Sequence, residues 1–364
     1  MPSRGRCSAE RMRRQGTPRW AAVWLAALLL GGCASSEERR PLVLDNRAYY
    51  PAMMADHDAP LSYLGVYVDQ PIPHTVTSEK LKGAEGALSG RHLFFNVGLG
   101  ERLALAGFDY PADGLRPHRG AALYLDAQIR MIMDFFAESI AVLDTDFHIG
   151  FGVMGRGLPW WSDAPWLDHV AWDLKLYHES THIGDEYLGD ALERRDAGEP
   201  EFSDFRRVNV AFEAVKLSLA VDGDVPGVPA LKGRVYGAYG HLLKGPWSTQ
   251  GEASIPIAAP SSAWRHEAQL GLELRRPLHP GAWGPDAVVS GHDVKLRRQY
   301  DYVEADPDGR LLSFNNLVGV EWGEASRPGL VVRTLLHGYH GVHPRGQFRS
   351  LAASYLGFML QADY

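Results

Sequence analysis

Apolar and polar residues alternate with period two through most of this chain. Leu123, Leu125, Ala127, Ile129, Met131, Met133 and Phe135 take odd positions, with Asp126, Gln128, Arg130 and Asp134 between them. A strand sends successive side chains to opposite faces, so the segment predicts one apolar face backed by a charged one. At about 13 residues it is longer than the usual strand of a soluble sheet. Trp264, His266, Ala268, Leu270, Leu272 and Leu274 repeat the pattern against Arg265, Glu267, Gln269, Glu273 and Arg275. Phe147, Ile149, Phe151 and Val153 do so against Asp146 and His148, and Val170 to Leu176 against Asp173 and Lys175. The last segment alternates through Leu356, Phe358, Leu360 and Ala362 to a terminal Tyr364.

Candidate strands begin near residues 93, 121, 146, 168, 206, 234, 262, 287, 312, 328 and 349. Single-chain bacterial barrels carry an even number of strands. The expected count is therefore about twelve, with Leu61–Val68 as the additional strand. Thirty-nine glycines and 23 prolines, many in short clusters, fit a chain with many turns. Trp160, Trp161, Trp166 and Trp172 are expected to belong to an aromatic girdle at one membrane interface.

The amino terminus reads as an address. Six arginines and a single Glu10 precede an apolar run from Trp20 to Leu30, followed by Gly31-Gly32-Cys33. That order describes a secretory signal, and the core is shorter than the roughly 20 residues of a membrane-spanning helix. Met12 is an alternative start. Leu30-Gly31-Gly32-Cys33 resembles the lipobox of bacterial lipoproteins, which implies acylation at Cys33; Ala34 after it favours outer-membrane sorting. Losing residues 1–32 takes the formal charge from −7 to about −12, which argues against nucleic-acid binding. Cys7 leaves with the signal, so no thiol remains for a disulfide or a cysteine-ligated metal.

Chemistry concentrates at His178-Glu179-Ser180-Thr181-His182. Histidine pairs four apart with an adjacent glutamate match the zincin pattern, which requires a helix. Alternation from Val170 runs straight into the motif, however, and on a strand Glu179 faces away from both histidines. His178-x-Ser180 also resembles the strand motif of outer-membrane phospholipase A and of the outer-membrane lipid A deacylase. An offset of two sets imidazole beside hydroxyl, so His178 can draw the proton from Ser180 as it attacks an ester. Both residues share the parity of Trp172, Leu174 and Leu176, the face that meets lipid. Those enzymes place a third polar residue about a dozen positions after the serine, where this chain has Leu192; Asp185, Glu186 or Glu213 is the substitute. A third reading makes the stretch a polar strand end at the membrane rim. His337, His340 and His343 form a second cluster, either a metal site across a turn or, with more weight, a solvated loop.

Leu176 to Tyr187 further resembles the signature block of a bacterial family, the domain-of-unknown-function family 1207. Arg207-Val208-Asn209 and Gly341-Val342-His343-Pro344-Arg345-Gly346-Gln347-Phe348 resemble it too, with Thr181 in place of a second serine. The resemblance implies an outer-membrane-like β fold and carries no catalytic residue with it.

The expected fold is all-β, an up-and-down antiparallel transmembrane β-barrel of about 12 strands in the bacterial outer membrane. Its parts are a signal (1–32), an acylated lead-in (33–90) and the barrel (91–364). Expected partners are membrane lipids and, through Tyr364, the assembly machinery; no cofactor and no metal are expected. A structural or permeation role stands first. A serine acyl hydrolase using Ser180 and His178 with Glu186 is the alternative, and a zinc protease the second alternative.

Overall fold

The computed structural model describes residues 40–43, 50, 52–68, 93–110, 119–135, 140, 142–157, 169–184, 189, 192–193, 196–198, 210–247, 266–278, 284–296, 312–323, 330–346 and 352–363. Its strands are β1 (Arg40–Val43), β2 (Ser62–Val68), β3 (Leu93–Tyr110), β4 (Arg119–Asp134), β5 (Val142–Arg156), β6 (Val170–Ile183) and β7 (Val210–Asp224). They continue as β8 (Lys232–Trp247), β9 (His266–Pro277), β10 (Ala287–Leu296), β11 (Leu312–Trp322), β12 (Val331–Val342) and β13 (Ala352–Asp363). From β3 to β13 each strand pairs antiparallel with the next. β2 joins β13 to β3, so β2–β13 close into a twelve-stranded up-and-down barrel. Closure leaves no open edge, which lipid would not tolerate.

β2 supplies the twelfth strand, so the barrel wall begins ahead of position 91. The lead-in also contains β1, too short to signal itself by alternation. β1 and β2 share one edge of β3: β2 pairs with Leu93–Gly98 and β1 with Ala106–Asp109.

The alternation has the predicted polarity. Leu174, Leu176, Leu217, Leu219, Leu270, Val318, Phe358 and Leu360 stand on the outer wall, Phe358 with 68% of its surface open to the surroundings. Their neighbours turn inward and are buried, including Asp126, Gln128, Arg130, Asp173 and Lys175. Among the described residues no helix is long and apolar enough to cross a membrane, and the strands provide the crossing.

The strand ends joined by the longest connections, 69–92, 184–209, 248–265 and 297–311, share one rim with those joined by 135–141 and 343–351, while 111–118, 157–169, 225–231, 278–286 and 323–330 join strand ends at the other.

The lumen is packed. Met53, Met54, Ala55, Asp56, Ala59 and Leu61 are buried inside the barrel. Asp56 pairs with Lys216 at 2.9 Å and Lys295 at 2.5 Å, and Asp58 with Lys295 at 2.6 Å and Arg130 at 3.1 Å. Side chains also grip the backbone of this plug. Gln128 donates to the Ala59 and Leu61 carbonyls, and Asn315 to that of Ala55. Buried charges persist only when paired and hydrogen-bonded. A barrel filled in this way is expected to stay silent in planar bilayers. Steady conductance by the intact protein would contradict the plug.

Candidate functional site

β6 divides the signature block by parity. Ala171, Asp173, Lys175, Glu179 and Thr181 are buried on the lumen side, whereas Leu174 and Leu176 are exposed and His178, Ser180 and His182 are partly exposed on the outer wall. The block is strand, so the zincin reading is corrected: Glu179 lies on the opposite side of the wall from both histidines. No group of three or more His, Cys, Asp or Glu positioned to hold a metal occurs among the described residues.

The inward half is held by packing. Arg130 pairs with Glu179 at 3.0 Å and Asp146 at 3.5 Å, and Thr181 donates to Asp144 at 3.0 Å. Residues 343–346 fold onto the same cluster. Arg345 approaches Asp146 at 3.9 Å and bonds the Tyr63 hydroxyl at 2.9 Å, while the Gly346 amide donates to Asp146 at 3.2 Å. A Cβ on Gly346 would meet Thr181 Cγ2 at 2.6 Å, so only glycine admits this approach. Burial works to lower the Arg345 pKa, but Tyr63 and Asp146 outweigh it and raise it. Two segments far apart in sequence thus interlock on the lumen side of β5 and β6.

The outward half has a different character. His178 lies opposite Glu213 of β7, with Nδ1 3.5 Å from Oε1; their side chains are 41% and 36% exposed. Ser180 is two residues on, opposite Ala211. The β7–β8 pairing slips on both sides of Glu213, at Ala211/Glu213 and Glu213/Ala214. Such irregularities re-aim side chains and recur beside active sites. Glu213 Oε2 is shielded and accepts no hydrogen bond among the described residues, while Oε1 faces His178; Lys244 of β8 stands opposite Glu213 in register. Apolar side chains flank the group: Ile149 opposite His178, Phe147 opposite Ser180 and in edge contact with His182, and Leu176.

Of the three acids proposed from sequence, the structure brings Glu213 to His178. Asp185, Glu186, Cys33 and Tyr364 lie outside the described residues, as do Trp160, Trp161 and Trp166. Trp172, the remaining tryptophan of the expected girdle, bonds the Gly157 carbonyl at 3.0 Å. The 337–343 cluster is neither a solvated loop nor a metal site. His337 is fully buried between Tyr67 and Asn315, His340 points outward onto Ser354, and His343 is buried where Arg345 N donates to it.

Closed wall, apolar exterior and packed polar interior define an outer-membrane β-barrel. The model described as "Protein of unknown function (DUF1207)" matches residues 162–364, and the chain belongs to that family. No curated protein matches. Among solved structures, the outer membrane phospholipase dimer with bound calcium from Salmonella typhi is 10% identical, with a TM-score of 0.39, over 84% of this chain and 92% of that one. The transport unit of the autotransporter AIDA-I from Escherichia coli is 10% identical, TM-score 0.41, over 88% and 94%. LpxR from Salmonella typhimurium is 8% identical, TM-score 0.34, over 83% and 100%. Values this low carry nothing about site or activity.

Proposed function

We propose that the protein is a serine acyl hydrolase that cleaves ester-linked acyl chains of phospholipid or lipid A from the outer wall of its barrel. One observation carries the reading: His178 and Ser180 stand two residues apart on the outward face of β6, and Glu213 Oε1 lies 3.5 Å from His178 Nδ1, with Phe147, Ile149 and Leu176 beside them. Charged groups on that face cost about 2–4 kcal/mol at mid-bilayer and fall to about 0–1 near the interface. A rim position therefore tolerates the group, yet packing gives no reason for it. The inward residues of the same block serve the lumenal ion-pair cluster, whereas His178 and Ser180 face outward.

We infer the roles from this arrangement. Glu213 sits at His178 Nδ1, which leaves Nε2 as the nitrogen for Ser180. Ser180 Oγ attacks the ester carbonyl carbon as its proton passes to Nε2, and Glu213 steadies the imidazolium. The tetrahedral intermediate collapses with cleavage of the ester C–O bond, and His178 returns the proton to the departing alcohol. Water repeats the sequence on the acyl-serine, releasing fatty acid and free Ser180. Phe147, Ile149 and Leu176 offer the acyl chain an apolar track beside the serine.

The test is fatty-acid release by purified, folded protein from mixed micelles of phospholipid or lipid A. Wild type is expected to turn over. Glu213→Gln is expected to lower kcat by about a hundredfold or more with KM little changed, as for loss of general acid–base assistance. Equal kcat in the variant would remove Glu213 from the mechanism, and no turnover by wild type on either lipid would overturn the reading.

A further inference from the structure

We propose a second site on the outer wall, independent of the hydrolase reading: a divalent transition-metal site, of zinc class, formed by His241 and His266 beside Tyr239. His241 of β8 and His266 of β9 lie directly opposite each other in register. Their Nδ1 atoms are 3.4 Å apart and their ring centroids 4.9 Å apart. The Tyr239 hydroxyl also contacts His266 Nδ1. Tyr239 is 51% exposed and His266 exposed, so the group opens outward near the rim that carries the long connections.

Two features separate this pair from an ordinary hydrogen bond. A neutral imidazole nitrogen without a proton has one in-plane lone pair. His266 Nδ1 is approached by both the Tyr239 hydroxyl and His241 Nδ1, and one lone pair does not serve two donors well. The spacing also fits a metal: Zn–N bonds of about 2.0–2.1 Å at a tetrahedral angle separate two nitrogens by roughly 3.3–3.4 Å. A cation at that point satisfies both lone pairs at once, and solvent completes the shell. Two imidazole donors favour zinc, copper or nickel over calcium or magnesium. Other outward histidines are arranged differently, His292 meeting Asn316 at 2.9 Å and His340 meeting Ser354 at 2.7 Å, each a neutral partner.

The experiment titrates Zn²⁺ alone into the full-length folded protein in detergent by calorimetry, and Cu²⁺ with detection by electron paramagnetic resonance. One site per chain is expected, with a copper spectrum showing two nitrogen ligands. His241→Ala and His266→Ala should each weaken zinc binding at least about tenfold, the scale on which altering a metal's immediate surroundings acts. His292→Ala and Glu213→Gln should leave it unchanged. Each variant is first shown to keep the heat-dependent gel shift of a folded barrel, so that lost binding is not lost folding. Zinc binding that survives the double histidine variant, or that disappears with His292→Ala or Glu213→Gln, overturns the site. So does the absence of any saturable binding to wild type. None of these results depends on whether Ser180 cleaves lipid.

Discussion

Folded Ser180→Ala protein is expected to release fatty acid at least about a thousandfold more slowly than wild type, the scale on which loss of a nucleophile acts. The replacement removes one oxygen from the outer wall and touches none of the lumenal ion pairs, so the heat-dependent gel shift should persist. Residues that act as a unit are strongly non-additive. His178→Ala should therefore cost nearly as much as Ser180→Ala, and the double variant little more than either. Thr181→Ala, one position away, removes the bond to Asp144 and belongs to the lumen side. It is expected to alter stability and leave kcat in place. Parity makes the two neighbours opposite in effect, and liposome or micelle assays read the difference directly.

The second large effect lies in the plug. Asp56→Ala deprives Lys216 of its ion pair and Lys295 of one of two. Breaking a buried pair by removing one partner costs about 3–5 kcal/mol, because a charge is left uncompensated. The variant should lose its folded gel mobility at a clearly lower temperature than wild type. Asp224→Ala breaks an exposed pair with Lys232, 76% and 59% exposed, and should cost under about 1 kcal/mol. Acidity tests the same contacts from the other direction. Burial works to raise the Asp56 pKa, but Lys216 and Lys295 hold it well below the usual carboxylate range. Its contribution is present above the unfolded value of about 3.9 and is lost only as pH falls below that. His57 is half-buried beside Tyr355, and loss of solvation followed by His337 pushes its pKa well down. The unfolded chain then binds a proton that the folded one refuses, so stability falls as pH drops below about 6.5. Thermal shifts at pH 7.5 and 5.5 should therefore differ for wild type and differ less for His57→Gln. An unchanged slope would contradict a neutral His57.

The strands were legible because each wall residue faces one of two unlike environments. Outward positions meet lipid and are apolar, and inward positions meet a packed polar lumen, so period two survives along β4, β6 and β13. Expected starts at 93, 287 and 312 coincide with β3, β10 and β11, and Leu61–Val68 is β2. The lumen was not legible. Asp56 and Lys295 are 239 residues apart in sequence, and nothing local in the irregular 50–61 segment names its partners. β1 has four residues, too few for alternation to register. His178 and Ser180 could be placed on one face by parity alone. Glu213 could not be singled out from Asp185 or Glu186, because it lies beyond the long 184–209 connection and strand pairing alone sets it across from His178. The paired histidines of β8 and β9 were invisible for the same reason, being 25 residues apart and joined only by strand pairing.

The most direct test of the central claim is to treat the folded, lipid-embedded barrel with an alkyl fluorophosphonate and map the adduct by mass spectrometry. A serine activated by His178 on the lipid-facing wall should carry the phosphonyl group at Ser180, and His178→Ala protein should carry none. A folded wild-type barrel whose Ser180 stays unmodified, or is labelled equally without His178, would contradict the account.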